Sequence, residues 1–146
     1  MSRLCQLVCL IVLSVVVGCG GYKPASGVTV KGKVTKGGVP LTVPNMAAKV
    51  GSVKIDLFPV HSDPQDERDA PGTLGGTDGS FEIAGGGKGI KPGKYKLSVV
   101  ADPGDGQDQL GGKFAGQNSP IEVDISDKNL GGAQDLGTID LDAVKK

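Results

Sequence analysis

Hydrophobic residues recur at every second position in much of this chain, and this alternation restricts the fold more than any other feature. In residues 28–36, Val28, Val30 and Val34 share one face and most of the polar side chains share the other. Successive side chains of a strand point to opposite faces, so a period of two predicts a half-buried strand. Further segments repeat the pattern, at residues 53–57, 80–83, 94–99, 121–126 and 138–141, with a weaker one at 41–43.

Turn-forming residues separate these segments, which favours short antiparallel strands over helices. The pair Asp78-Gly79 is favoured in tight reversals, and Pro92-Gly93 suits a β-turn. The 25 glycines and 9 prolines cluster between the hydrophobic segments, which is typical of turns and not of collagen or disorder. No long window keeps a helical period, although a single helical turn is compatible with residues 110–115. The predicted fold class is an all-β, antiparallel two-layer β-sandwich of about seven strands.

The N-terminus has the pattern of a secretory signal peptide. Arg3 supplies a positive charge, residues 4–17 are apolar apart from two polar positions, and the small Gly18 precedes Cys19. The apolar run is shorter than the ~20 residues that a membrane-spanning helix needs. We therefore predict a signal peptide at 1–18, a tether at 19–27, the sandwich at 28–141 and a C-terminal tail at 142–146.

Residues 16–19, Val-Val-Gly-Cys, resemble the bacterial lipobox. The resemblance implies that a diacylglycerol is attached to the Cys19 thiol and that the new amine is often acylated, for example with palmitate. Membrane lipid is then a partner, and the chain is extracytoplasmic. Gly20 is not the Asp associated with inner-membrane retention in some bacteria, which favours the outer membrane. The alternatives are an incidental cysteine near an ordinary cleavage site and an uncleaved anchor.

Three segments resemble the carboxypeptidase regulatory-like family. They are GKVTKGGVPL at 32–41, TDGSFEI at 77–83 and GIKPGKYKLSV at 89–99, and the similarity extends to about residue 141. The resemblance implies a transthyretin-like (prealbumin-like) β-sandwich, generally a non-catalytic accessory module. The TDGSF reversal is tighter than in that family, and the segment 42–52 is longer. A related enzyme class on the same fold needs several histidines, which this chain lacks, so no enzyme is expected.

Charge and cysteine content exclude two further classes. Without Arg3 the chain has 15 Lys+Arg and 16 Asp+Glu with both signs interspersed, so nucleic acid is not an expected partner. Cys5 and Cys9 would leave with the signal peptide, and lipid would occupy the thiol of Cys19. The mature domain therefore has no pair of thiols for a disulfide.

Two acidic loops are the candidates for metal binding. Calcium takes six to eight oxygen ligands, which carboxylates on glycine-containing loops can supply. Neither loop matches the D-x-[DN]-x-[DN]-G pattern, and solvated turns explain the aspartates equally well. The sequence therefore predicts no dedicated metal or cofactor site and leaves these residues as calcium candidates: Asp63, Asp66 and Asp69 with Glu67, and Asp102, Asp105 and Asp108.

The remaining chemistry-bearing residues have simpler interpretations. The single histidine, His61, is predicted to be exposed on a loop, and no catalytic residue is predicted. An internal isopeptide bond through Lys31 or Lys33, Glu82 and Asp140 is not expected, because all four lie on the predicted polar face. Phe81 and Tyr95 are predicted core residues, whereas Phe58 and Phe114 are the candidates for exposed rings.

Together these observations predict a membrane-anchored extracytoplasmic lipoprotein whose β-sandwich is non-catalytic. The expected role is structural or protein-interacting in the cell envelope, with an envelope protein as partner and no small-molecule substrate. A partner strand could pair with an open sheet edge. The alternative is a ligand- or calcium-binding adhesion module that uses the acidic loops.

Overall fold

A computed structural model describes residues 27–61, 68 and 71–145. This part of the chain forms strands joined by turns, with short 3-10 turns at Gly85–Gly87, Gly116–Asn118 and Asp127–Asn129. The strands are β1 (Thr29–Lys36), β2 (Val39–Pro40), β3 (Ser52–Pro59), β4 (Gly72–Leu74), β5 (Ser80–Ile83), β6 (Gly93–Asp102), β7 (Glu122–Ile125) and β8 (Ala133–Asp140).

The strands form two sheets, which confirms the predicted β-sandwich. In the first sheet β1 pairs with β8 and, at successive positions, with the short strands β5 and β2. The second sheet has the order β4-β3-β6-β7, with every pair antiparallel. The long β3 and β6 pair from Ser52 opposite Asp102 to Pro59 opposite Tyr95 and form the centre of that sheet.

Three details differ from the sequence-based expectation. Strand β8 runs parallel to β1, whereas an antiparallel arrangement was expected throughout. Strand β4 was not predicted, because Gly-Thr-Leu is too short to show an alternation. The weak segment at 41–43 is not a strand: β2 lies at Val39–Pro40 instead, and Leu41 and Val43 are buried in the loop that follows.

The core lies between the sheets and is built from the alternating residues. Val30 and Val34 of the first sheet are fully buried, as is Val28 just before β1, and so are Leu57 and Leu97 of the second sheet. Burial of one such side chain stabilises the fold by roughly 1.5–3 kcal/mol. The core includes the predicted residues and several from loops: Ile90, Phe114, Ile121 and Leu141 as well as Leu41 and Val43.

The aromatic rings are placed as predicted in two cases and differently in one. Phe81 and Tyr95 are buried in the core, as expected. Phe58 is only half-buried. Phe114 was a candidate for an exposed ring, but it is 3% exposed, because its carbonyl accepts the Val99 N–H at 2.9 Å and so fixes the loop against β6.

Phe81 packs directly against a glycine on the neighbouring strand. Gly32 pairs with Phe81 across β1 and β5 and lies on the same face of β1 as the buried valines. A Cβ at Gly32 would lie 2.7 Å from Cζ of the Phe81 ring. The absence of a side chain at position 32 therefore makes room for the ring.

The sandwich has two distinct ends. The near end is where β1 begins, and it contains Gly27, the loops 84–91 and 126–132, and the described residues between β3 and β4, which are Val60, His61, Arg68 and Pro71. The far end contains the turn at 37–38 and the loops 42–51 and 103–113. Because β8 is parallel to β1, the chain enters the sandwich at the near end and leaves β8 at the far end.

Gln134 joins the two sheets at one side of the sandwich. Its side-chain oxygen accepts the Ser126 N–H at 2.9 Å, and its side-chain nitrogen donates to the Asp124 carbonyl at 2.7 Å. Both partners are backbone groups at the outer edge of β7, where a further strand would otherwise bind. The amide of Gln134, at the start of β8, therefore takes the place of a neighbouring strand.

Candidate functional site

Several residues singled out from the sequence lie outside the described residues. They include Cys19 with the preceding signal peptide, and the first acidic cluster, Asp63, Asp66, Glu67 and Asp69. Lipidation of Cys19 and calcium binding by that cluster therefore remain predictions. The structure does describe the point at which the chain enters the sandwich.

Three segments meet at this point. Gly27 is buried, and its carbonyl accepts the N–H of Gly131 at 3.0 Å. Val28 and Ile90 exchange two backbone hydrogen bonds of 2.8 Å. A Cβ on Gly27 would overlap the backbone of Gly89, so only glycine fits here. The first described residue is thus held between the loops 84–91 and 126–132.

A pocket of about 380 Å³ opens beside Gly27. Arg68 forms part of its wall, with the guanidinium carbon 4.9 Å from the centre of the Tyr95 ring. The Arg68 Nη2 donates to the Val60 carbonyl at 3.0 Å, and the Tyr95 hydroxyl donates to the Lys91 carbonyl at 2.7 Å. A cation held over an aromatic face is stabilised by the ring electrons. This wall of the pocket is therefore positively charged, and the hydrogen bond and the Tyr95 ring fix the position of the Arg68 guanidinium.

The described side chains that line this pocket are cationic or uncharged. The lining contains cations from Arg68, Lys88 and Lys91, and otherwise glycines, Pro71, Ile90 and Tyr95. No carboxylate, imidazole, hydroxyl nucleophile or thiol from the described residues stands there beside them.

An open groove of about 590 Å³ runs over the first sheet. Lys31 and Glu82 lie on its rim as an ion pair of 3.2 Å, and both side chains are about half exposed. An exposed pair of this kind contributes at most about 1 kcal/mol. The rim of the groove therefore carries one positive and one negative charge, and the polar side chains of the groove do not converge on one point. Lys31 and Glu82, which were considered for an isopeptide bond, thus form a solvated cross-strand pair.

The aspartates of the second acidic loop bind backbone N–H groups. Asp102 accepts from Gly104 and Gly106 at 2.7 and 3.0 Å through the same oxygen. Asp108 accepts from Ala101 and Leu110 at 2.9 and 3.0 Å, and also from Gly112 at 2.8 Å. Asp105 accepts from Gln107 at 2.9 Å. This geometry favours turn stabilisation over calcium ligation, because the carboxylates face donors and do not converge.

The segment 110–115, which the sequence pattern left open to a single helical turn, belongs to the same loop. Residues 109–114 form successive hydrogen-bonded turns instead of a helix. The N–H of Gly111 bonds to the Asp108 carbonyl at 2.9 Å, and that of Lys113 bonds to the Leu110 carbonyl at 3.3 Å. Gly111 and Gly112 both have positive φ, which a helix does not permit.

Asp140 closes the far end of the first sheet. One of its oxygens accepts from Gly37 and Asp142 at 3.1 and 3.0 Å, and the other accepts from Gly38 at 2.6 Å. The N–H groups of Asp142 and Gly38 hold the pKa of this carboxyl below its ordinary value of 3.8. Asp140 therefore ties the end of β8 to the turn that follows β1.

Two other exposed carboxyls have lowered pKa values for local reasons. A hydrogen bond from the Ser80 hydroxyl lowers the pKa of Asp78, which stabilises the predicted reversal before β5. The Lys96 ammonium, 2.6 Å away across β6 and β7, lowers the pKa of Glu122. Both shifts are explained by strand and turn contacts, and neither residue lines the pocket at the near end.

The described part of the chain contains no cluster of metal-ligating side chains. His61 follows β3 and is exposed, as predicted, while its sequence neighbours Ser62 and Asp63 lie outside the described residues. Among the residues that the structure describes, no three His, Cys, Asp or Glu side chains are placed to hold a metal ion. Within the same residues, no helix has the length and apolar character needed to cross a membrane.

Sequence reasoning did not single out the residues of the near end. Leu130 is 52% exposed and lies beside Gly131, whose N–H binds Gly27. Lys88 lies in the glycine-rich loop that packs against Gly27. The only sequence signal is a lone leucine between Asn129 and Gly131 in an otherwise polar loop. Its position next to the start of the chain depends on tertiary contacts.

No protein-family model matches the chain, and no curated protein matches it. A solved structure with some similarity is that of a DUF3823 family protein from Parabacteroides merdae, at 19% sequence identity and a TM-score of 0.38. The match covers 75% of this chain and 43% of that one, so this chain spans less than half the length of that protein.

Proposed function

We propose that the chain is an extracytoplasmic bacterial lipoprotein, attached to membrane lipid through Cys19, whose β-sandwich has a non-catalytic structural or protein-interacting role in the cell envelope. The observation that carries the proposal is the order of Arg3, the apolar run 4–17, Gly18 and Cys19. A signal peptide with a cysteine at its exit fits this order. Two or more acyl chains give the stable anchoring that one chain does not.

The geometry of the near end supports this role. From Cys19 to Gly27 is a segment of nine residues, which spans about 30 Å when fully extended. Gly27 is fixed between two loops of the sandwich. A lipid on Cys19 would therefore hold the sandwich close to the membrane, with its near end nearest to the anchor.

The absence of convergent reactive groups in the described sites supports a non-catalytic role. The pocket at the near end has a cationic lining, and the groove over the first sheet carries an exposed ion pair. Sheet edges other than that of β7, which Gln134 covers, leave strand pairing available as a mode of partner binding. An envelope protein is accordingly the expected partner, and the outer membrane is the favoured location.

Replacement of Cys19 tests the anchor. In Cys19→Ser we expect the protein to leave the membrane fraction, because no thiol remains to carry lipid. The same samples are examined by intact mass spectrometry, which should show acyl chains on the unaltered protein and none on the variant. Cys9→Ser is the matched control: it alters a cysteine in the apolar run and should keep the membrane location.

An unmodified Cys19 thiol in protein purified from native membranes would contradict the proposal. The interaction role needs a separate measurement. Crosslinking in native membranes followed by affinity purification should recover an envelope protein with the lipidated chain and not with an unrelated lipoprotein of similar abundance. Recovery of lipid alone would reject the protein-interaction part of the proposal.

A further inference from the structure

The chain contains two Asp-Gly pairs, Asp78-Gly79 and Asp105-Gly106, and no Asn-Gly pair. In such a pair the backbone nitrogen of the glycine can attack the side-chain carboxyl of the aspartate, because glycine has no side chain to keep the two groups apart. The final product is isoaspartate, an aspartate that continues the chain through its side chain. In a folded protein both groups must be free to move, so the rate depends on the local stability of each loop.

The first pair is held firmly in the turn before β5. One carboxyl oxygen of Asp78 accepts the Ser80 N–H at 3.1 Å and the Ser80 hydroxyl at 2.6 Å. The N–H of Gly79 donates to the Gly76 carbonyl at 2.9 Å, and the Gly79 carbonyl accepts the Val34 N–H at 2.8 Å. A Cβ at Gly79 would lie only 2.5 Å from the Val34 carbonyl oxygen, so β1 packs closely on this glycine. The carboxyl and the nitrogen that would react are therefore both bound elsewhere.

The ionisation of Asp78 protects this pair further. The hydrogen bond from the Ser80 hydroxyl lowers the pKa of the Asp78 carboxyl. The neutral acid is the reactive form, because an ionised carboxylate repels a nucleophile and has no good leaving group. The contact with Ser80 thus both fixes the Asp78 carboxyl and reduces the share of it that can react.

The second pair lies in an open part of the loop after β6. Asp105 and Gly106 are both exposed, and a Cβ at Gly106 would meet no atom within 4 Å. The Asp105 carboxyl accepts the Gln107 N–H at 2.9 Å, and the Gly106 N–H donates to the Asp102 carboxyl at 3.0 Å. Neither residue of the pair forms a backbone–backbone hydrogen bond with another described residue. Two solvent-exposed side-chain bonds are thus what must open before the pair can react.

We propose that Asp105-Gly106 is a site of spontaneous isomerisation to isoaspartate in the folded protein, and that the turn closed by Ser80 protects Asp78-Gly79. The Gly106 nitrogen forms a bond to Cγ of Asp105, and the amide proton and the carboxyl hydroxyl leave together as water. Water then cleaves the original bond between the Asp105 carbonyl carbon and this nitrogen. One water leaves and one is added, so the mass is unchanged and no other reactant is needed. The inference does not depend on the proposed lipid anchor.

The change should remain local to the loop. Isomerisation adds one methylene to the backbone at Asp105, and the carboxyl that accepts the Gln107 N–H becomes part of the chain. The carboxyl of Asp108 still accepts from Ala101 and Leu110 at 2.9 and 3.0 Å, and these bonds fix the loop to the end of β6. The modified protein is therefore expected to keep its fold while residues 103–107 change conformation.

Ageing of the full chain in mildly acidic buffer tests the proposal, with the two pairs measured in one sample. Trypsin releases them in separate peptides, residues 69–88 and 97–113, and electron-transfer fragmentation distinguishes isoaspartate from aspartate. Each rate is divided by the rate at the same position in concentrated urea, which removes the effect of neighbouring sequence. We expect this ratio to be about tenfold lower at Asp78 than at Asp105, because the turn must open before Asp78 reacts. Equal ratios, or a lower ratio at Asp105, would overturn the inference.

Two variants test the assignment and the protection separately. Asp105→Glu keeps the charge but cannot close the same five-membered ring, so the peptide 97–113 should show no isomer; an isomer that persists would reject position 105 as the site. Ser80→Ala removes a hydrogen bond from the Asp78 carboxyl and should raise the rate at Asp78 about threefold, with no change at Asp105. An unchanged rate at Asp78 would reject protection by the turn that Ser80 closes.

Discussion

Gly32 is required because the ring of Phe81 occupies the space in which a side chain would lie. Gly32 faces the core between Val30 and Val34, and the ring is nearly buried. Cross-strand contact of an aromatic ring with a glycine fills the gap left by the missing side chain. The sequence shows this glycine only as an interruption of the valine alternation, so its partner could not be named before the pairing of β1 with β5 was known.

Gly32→Ala should destabilise the fold by about 1–3 kcal/mol, because the added methyl forces the Phe81 ring from its place in a packed core. Urea denaturation measures the change. Gly132→Ala is the control, since a Cβ at that position would make only an ordinary contact of 3.5 Å with the Asn129 carbonyl. A Gly32→Ala protein as stable as the unaltered chain would show that the ring is not confined.

Asp140 should make the stability of the far end dependent on acid pH. Its pKa is lowered in the folded state by the N–H groups of Asp142 and Gly38, so its contribution is present above the ordinary value of 3.8. That contribution is lost as the pH falls through the lower, folded-state pKa. In Asp140→Asn we expect a smaller loss of stability between about pH 5 and pH 2.

Urea denaturation of both proteins across this range measures the difference. The comparison within each protein, from neutral to acid pH, removes the constant effect of the substitution itself. Parallel curves for the two proteins would mean that Asp140 is no better stabilised as an anion in the folded state than in the unfolded state.

At the scale of elements, the sandwich closes its β7 edge with a side chain. Gln134 supplies one acceptor and one donor to the backbone of Asp124 and Ser126. It also accepts from the side-chain amide of Asn129 at 3.0 Å. The pattern resembles a one-residue strand laid along the edge, and it couples the second sheet to the start of β8.

Gln134→Leu should cost about 1 kcal/mol, because the Ser126 N–H loses a part-buried partner and the Asp124 carbonyl loses an exposed one. Amide hydrogen exchange at Ser126 should become faster as well. Gln117→Leu is the control, since Gln117 is exposed in a short turn away from the edge. Unchanged exchange at Ser126 would show that the bond to Gln134 does not protect this amide.

The alternation of hydrophobic residues predicted six of the elements, because a two-residue period follows directly from strand geometry. It did not predict β4, whose three residues are too few to show a period. It also did not reveal that β8 runs parallel to β1, since alternation is the same in either direction. The direction follows from where β7 ends: the chain crosses from the second sheet to the first at the near end, so β8 starts beside the start of β1.

At the scale of the whole molecule, the two ends differ in a way that the sequence does not display. The near end brings together Gly27 and two loops that are far apart in the chain, and the far end carries Asp102, Asp105, Asp108, Asp140 and Asp142. The sequence alone shows which residue types the loops contain, and the turn-stabilising role of the aspartates was one of two predicted alternatives. Which of these residues meet at one end of the sandwich depends on strand order, which local sequence patterns do not encode.

The parallel pairing of the first and last strands has a mechanical consequence. The chain begins at one end of β1 and leaves at the opposite end of β8, so a pull applied between the two termini would slide these neighbours past each other. The ladder bonds between them would then share the load in shear instead of opening one by one. A sandwich pulled at the start of β1 and at the end of β8 should therefore resist stretching along its long axis.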